Sequence, residues 1–210
     1  LGQDISHLAY EYGFKAKTIV FDADKKNFPK TKLLGQHNQR NAEAAWQACQ
    51  LFGVSFENAR KAMDKISPME NRLEFVRELD GITYINDSKC TTVTALAVAI
   101  KAVSEAKHPI ILLAGGKFKG GDLAALLPLM RGKVKHVALY GGSREHFENA
   151  WKNHLSLSYD EKLSQALERA KQTADKGDAV LLAPATASFD QYASYIARGG
   201  DFKNLVRNLK

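Results

Sequence analysis

A carboxylate, a hydroxyl, an ammonium and a second hydroxyl fall within five residues in the stretch YINDSKCTTVTA (residues 84–95), as Asp87, Ser88, Lys89 and Thr91. Such a group can accept from ribose hydroxyls, neutralise an anion and hold a carboxylate. Each also has a plainer reading, with Asp87 and Thr91 as turn or cap residues and Lys89 as a solvated lysine. GGKFKGGD (115–122), APATAS (183–188) and, more weakly, YGGSRE (140–145) are similarly polar. Lys119, with Lys117 as its competitor, suits a carboxylate clamp on a glycine-rich loop. That loop lacks the length and the Gly-Lys-Ser/Thr ending of a Walker phosphate loop. Ser188, Phe189 and Asp190 read as a helix start, with Ser188 a cap first and a ligand donor second. Tyr192 and Tyr195 pack the final helix or turn a hydroxyl outward. Asn38 and Asn41 in HNQRN (37–41) lie one helical turn apart. Their amides can pair with an adenine edge, although Asn38 is equally well explained as a helix cap. Arg72 reads as a surface arginine or as one that reaches across a cleft to a nucleotide. No nucleophile elbow is present, and His136, His146 and His154 read as structural or surface residues.

An alternation of elements must position these residues. TIVFD (18–22) predicts a strand, and helices are expected over 38–53 and from Ser55 onward. SPMENR (67–72) breaks the pattern and marks a boundary near Ser67–Pro68. Beyond it, LEFVREL and ITYIND predict a hairpin joined by Asp80–Gly81. A helix capped at Thr91 or Thr92 follows, then a buried strand at PIILLAGG. GDLAALLPLMRG reads as a helix, VKHVALYGG as a strand and SREHFENAWKNH as a helix. SYDEKLSQALERAKQTADKG reads as one long helix, DAVLLAPATAS as a strand and loop, and the last residues as helical segments broken at Gly199–Gly200. Repeated strand–helix units imply an α/β fold with a mainly parallel sheet, Rossmann-like, with helices on both faces. Such sheets bind ligands outside the carboxyl ends of their strands, where the polar loops fall.

The 210 residues are 45% hydrophobic and 25% charged, enough for a core and unlike a disordered chain. The net charge of +7 is dispersed, which favours a small anionic ligand over nucleic acid. Cys49 and Cys90 make no disulfide framework, and no metal-binding spacing occurs. The apolar runs are too short to span a bilayer and no signal peptide pattern opens the chain, so a cytoplasmic protein without membrane insertion is expected. LGQDISHLAYEYG, at the start, reads as the middle of something longer.

HNQRNAEAA, NRLEFV, GITYINDSKCTTVTA, LLAGGKFKG and LLAPATASFDQYASYIARGGDFKNLV follow one another in an order that resembles the Mur ligases, and their D-glutamate-adding members above all. The resemblance implies that residues 1–68 are the last part of a central P-loop ATPase domain and 69–210 the amino-acid-binding C-terminal domain. It implies ATP-dependent amide formation from UDP-MurNAc-L-Ala and D-glutamate, through an acyl phosphate, by a monomer. Asn38, Asn41, Arg72 and Asp87 then resemble the residues that meet ATP. Lys89 is the catalytic candidate, and Thr91, Lys119, Ser188 and Tyr195 match positions that hold D-glutamate. Most Mg2+ ligands of the family fall upstream of this sequence, and the chain by itself is not expected to turn over. The sequence departs from the family pattern at Asn71 (usually His), at Cys90, Thr92, Ala183 and Thr186, and at Tyr195 (usually Phe).

Overall fold

Helical spacing of small and apolar residues in QHNQRNAEAAWQACQ produces α1 (Gln36–Gln50). Its N-cap is Gly35 rather than Asn38, which lies in the first turn and donates from Nδ2 to the Leu34 carbonyl at 2.8 Å. α2 (Phe56–Met63) begins at Ser55 as expected, and the Ser55 hydroxyl accepts from the Asn58 N–H. Phe28, Ala42 and Met63 are buried together, with Trp46 and Ala59 against them. The expected strand at 18–22 is reduced to one bridge position at Phe21. This computed structural model describes residues 7, 11–13, 15, 18–22, 27, 28 and 32–210. It separates into two units, Leu1–Ser67 and Pro68–Lys210.

The second unit is built on a six-stranded sheet. β1 (Glu74–Leu79) and β2 (Ile82–Asn86) form the antiparallel hairpin. Asp80 (φ 55°) and Gly81 (φ 77°) are both left-handed at its turn, which suits the twist of the flanking strands. α3 (Val93–Glu105), capped by Thr92, leads to β3 (Ile110–Gly115). A 3-10 turn (Ala124–Leu126) and the short α4 (Leu127–Met130) then replace the longer helix expected at 121–132, because Pro128 fits only a first helical turn. β4 (Val134–Tyr140), α5 (Arg144–Trp151), β5 (Leu157–Asp160), α6 (Leu163–Thr173), β6 (Ala179–Leu182) and α7 (Tyr195–Asn208) complete the unit.

The strand order is β1-β2-β6-β3-β4-β5, and every pair after the first hairpin is parallel. β6 therefore returns from the far edge and inserts between β2 and β3. Sheets of this kind take ligands outside the carboxyl ends of the strands at such a reversal. On one face Tyr84, Ile111, Leu113, Val180 and Leu182 pack beneath Leu163, Leu167, Phe202 and Val206 of α6 and α7. Each such side chain contributes about 1.5–3 kcal/mol by leaving water.

The expected long helix over 158–177 is split, because Leu157–Asp160 pair with β4 as a half-buried edge strand. The terminal helix is unbroken across Gly199–Gly200. These glycines serve packing. A Cβ on Gly199 would lie 1.8 Å from Asn71 Oδ1, whereas one on Gly200 meets nothing within 4 Å. Asn71 cannot give way cheaply, since its Oδ1 accepts from Asn86 Nδ2 at 3.0 Å in the buried interior. Gly200→Ala should therefore stabilise the chain by about 0.5–1 kcal/mol through helix propensity, and Gly199→Ala should destabilise it by about 2–3 kcal/mol through overpacking. Urea unfolding checks the pair, and effects of the same sign would refute the assignment.

Candidate functional site

The loops that leave β2, β3, β4 and β6 are tied together at one sheet edge. Asp87 N–H donates to the Leu182 carbonyl at 2.8 Å, joining the loops after β2 and β6. Lys117 and Ala187 form an antiparallel bridge, with N–H to carbonyl distances of 2.8 and 3.1 Å, joining those after β3 and β6. Thr186 Oγ1 donates to the Gly115 carbonyl, and Ser143 Oγ donates to the Gly116 carbonyl while accepting from Phe118 N–H. Ala185 sits at φ 60° inside this arrangement, a strained value for a residue with a Cβ.

Within YINDSKCTTVTA, β2 ends at Asn86, which turns its side chain back onto the main chain. Asn86 Oδ1 accepts from Ser88 N–H at 3.1 Å, and the Lys89 N–H donates to the Asn71 carbonyl at 3.0 Å. These bonds leave Ser88 buried and Lys89 half-exposed on the rim. Lys89 Nζ lies 4.0 Å from the centroid of the Tyr195 ring, a cation–π pair. Two residues expected at the site, 106 positions apart in sequence, are thus stacked on one another.

Asp87 is 9% exposed, and Leu73 N–H approaches its Oδ1 at 3.4 Å. Burial pushes its carboxyl up to about 6, with the Leu73 N–H and the Arg72 guanidinium pulling the other way. Arg72 itself is exposed. The expected pair Arg72 and Asp87 is therefore electrostatically coupled. Because the folded value lies above the ordinary one, the native proton stabilises fully below about pH 4. That contribution is lost as pH rises through about 6. Asp87→Asn should leave stability little changed near pH 4 and raise it by about 2 kcal/mol at pH 8. Urea unfolding at both pH values reads this, and a pH-independent difference would contradict it.

Thr91 is half-buried just before the Thr92 cap of α3, and Lys119 is exposed two residues past the Lys117 bridge. Ser188 is 2% exposed and does not begin a helix. Its carbonyl accepts from Gln191 and Tyr192 N–H in a turn, and the helix starts at Tyr195 under the Ser194 cap. Asn41 Nδ2 donates to Asn38 Oδ1 at 3.3 Å, so the two asparagines of the first unit do share one helix face. His136 is held between the Ser156 and Ser158 hydroxyls, and burial with nearby Arg169 lowers its pKa. It is structural. Cys90 is buried, and burial raises its thiol far above its ordinary value. Among the described residues no group of three or more His, Cys, Asp or Glu side chains is disposed to hold a metal ion, and no helix is long and apolar enough to cross a membrane.

Sequence reasoning missed Arg198 and gave Ser88 no role of its own. Arg198, in the ARGGDF stretch, is fully buried on α7 and reaches the loops after β2 and β6. An arginine ahead of two glycines in an otherwise helical pattern was the available signal.

The family profile described as Mur ligase, glutamate ligase domain, matches residues 71–186, more than half of the chain. The chain belongs to the Mur ligase family. The UDP-N-acetylmuramoylalanine–D-glutamate ligase of Desulfovibrio desulfuricans is 49% identical over 209 residues, covering 100% of this chain and 47% of that protein. The chain spans about half the length of the curated relatives it matches. Its fold is also that of a bifunctional folylpolyglutamate synthase/dihydrofolate synthase from Yersinia pestis, with TM-score 0.65 and 18% identity over 97% of this chain and 50% of that one. The UDP-N-acetylmuramate–alanine ligase of Thermotoga maritima matches with TM-score 0.64 and 17% identity over 86% of this chain and 40% of that one. The second unit is accordingly an α/β Mur ligase C-terminal domain, with its mixed, mostly parallel sheet.

Proposed function

We propose that this chain is the C-terminal half of an ATP-dependent ligase that joins D-glutamate to UDP-N-acetylmuramoyl-L-alanine during peptidoglycan precursor synthesis. Residues 1–68 are the tail of the central ATPase domain and 69–210 the amino-acid-binding domain of a cytoplasmic, monomeric enzyme. ATP transfers its γ-phosphoryl group to the alanine carboxylate of the UDP-linked substrate. The amine of D-glutamate attacks that acyl phosphate, the new C–N bond forms, and inorganic phosphate leaves with the electrons of the C–O bond. Chemistry of this kind needs charge neutralisation and positioning more than a nucleophile.

The observation that supports this reading is the Lys89 ammonium stacked on Tyr195 at the rim where the site loops are bonded together. Lys89 neutralises charge that develops at the acyl phosphate. Lys119 meets one carboxylate of D-glutamate, and Thr91, Ser188 and Tyr195 enclose the other. Asp87 and Arg72 meet the ribose and phosphates of ATP. The close kinship to D-glutamate ligases favours that amino acid over others.

The test is phosphate release by the full-length ligase carrying this sequence, given ATP, UDP-MurNAc-L-Ala and a panel of amino acids. Turnover is expected with D-glutamate alone. Preference for diaminopimelate, lysine or a folate substrate would overturn the reading.

A further inference from the structure

Arg198 is 0% exposed, and among the described residues its hydrogen-bond partners are a hydroxyl and two carbonyls, with no carboxylate. A buried guanidinium without a counter-ion is costly, and natural folds keep one only where its hydrogen bonds do something specific. Here Nε donates to Ser88 Oγ at 3.0 Å, and Nη2 donates to the Ser88 carbonyl at 2.9 Å and to the Thr186 carbonyl at 3.2 Å. Ser88 Oγ donates its own proton to the Tyr195 carbonyl at 2.8 Å. Nη1 makes no hydrogen bond of ordinary geometry among the described residues, Arg198 acts on the buried Tyr140 hydroxyl and opposes the rise of its pKa, and a Cβ on Gly116 would lie 3.2 Å from Nη1. One planar fork therefore spans the loops after β2 and β6 and lies beneath the loop after β3.

The two residues this fork controls are those that meet on the rim. Ser88 immediately precedes Lys89. Through its hydroxyl Ser88 also fixes the carbonyl of Tyr195, the first residue of α7. Arg198 is three residues beyond Tyr195 on the same helix, so its position and that of the ring are set by one rigid element. A lysine at 198 would keep the charge but could not make the same fork of bonds.

We propose that Arg198, acting through Ser88, is the positioning residue for the Lys89–Tyr195 pair. It sets the catalytic ammonium from below without touching substrate. The kinetic consequence rests on the ligase reading given above; the geometric one does not.

Two measurements separate these. In the 210-residue chain with 13C-methylated lysines, the Lys89 signal, assigned by its loss in Lys89→Arg, should be shifted upfield by the Tyr195 ring. Tyr195→Phe should keep that shift and Tyr195→Leu abolish it. Ser88→Ala and Arg198→Lys, at unchanged circular dichroism, should move the signal to that of a free lysine. In the full-length ligase the same two variants should lower kcat on the order of 10²-fold while the KM for ATP stays within about twofold. An unchanged Lys89 signal in folded Ser88→Ala overturns the proposal, as does a lost shift with unaltered kcat. If Arg198→Lys fails to fold, Ser88→Ala alone decides. If the wild-type ligase does not use D-glutamate, the ligase reading fails while the Lys89 signal still tests the positioning.

Discussion

Lys89→Ala in the full-length ligase is expected to lower kcat by about 10²–10³-fold, the loss of roughly 2.7–4 kcal/mol of transition-state stabilisation. The expectation follows from where the ammonium sits. Its backbone is fixed by the Lys89 N–H bond to Asn71 and by the buried Ser88 beside it, and its Nζ stands 4.0 Å over the Tyr195 ring. An amine held there needs little reorganisation to meet charge that develops on an attacked acyl phosphate. The aromatic partner adds only about 0.5–1 kcal/mol of attraction at a half-exposed site, weak enough for an anion to compete. Lys89→Arg should recover part of the rate, because charge is kept while the point geometry of the ammonium is not. Lys101→Ala, an exposed lysine on α3, serves as the control and should leave both rate and stability unaltered. A kcat within threefold of wild type for Lys89→Ala would remove Lys89 from the reaction.

The architecture was legible because two periodicities alternate cleanly after Pro68. The buried run IILLAG could only be an interior strand, and Asp80–Gly81 could only be a tight turn. β5 was not legible. LSYD is half-buried on both faces, as an edge strand is, and its polar residues merged with the helix that follows. Gly199 misled for the opposite reason. Glycine in a helix reads as a break, and the close approach of Asn71 that requires it is a tertiary fact.

The site shows the same division. Residue types marked Lys89 and Asp87 as candidates, the family resemblance added Tyr195 and paired Asp87 with Arg72, and the fold supplied the stacking of Lys89 on Tyr195. Ser188 was placed at a helix start by local chemistry, whereas the chain runs six residues further before Ser194 caps the helix. Arg198 carries a charge, and charge in a sequence suggests surface. Only the carbonyls of Ser88 and Thr186, brought together by β2 and β6, make its burial intelligible.

Gly115→Ala should be severely destabilising, costing about 3–5 kcal/mol or preventing folding altogether. Gly115 ends β3 at φ +146°, and an added Cβ would lie 1.9 Å from the Tyr140 carbonyl oxygen, 2.8 Å from its carbon and 2.9 Å from its nitrogen. All three obstacles are backbone atoms of the paired strand β4, so no rotamer change relieves them. Moving Gly115 instead would pull on its N–H bond to the Pro184 carbonyl at 3.2 Å and on the Thr186 hydroxyl bonded to its carbonyl. Relief at β4 thus costs the link to the loop after β6. Gly142→Ala is the matched comparison, since its Cβ would rest 3.8 Å from Asp190 Cβ in ordinary contact, and it should change stability by less than about 1 kcal/mol. Urea unfolding of the two variants reads the difference directly. If Gly115→Ala stayed within about 1 kcal/mol of wild type, the close approach of β3 and β4 would be wrong. With it would go the explanation of why Lys119 leaves the sheet on a loop that begins with two glycines, because that loop can turn across the strand ends only where no side chain intervenes.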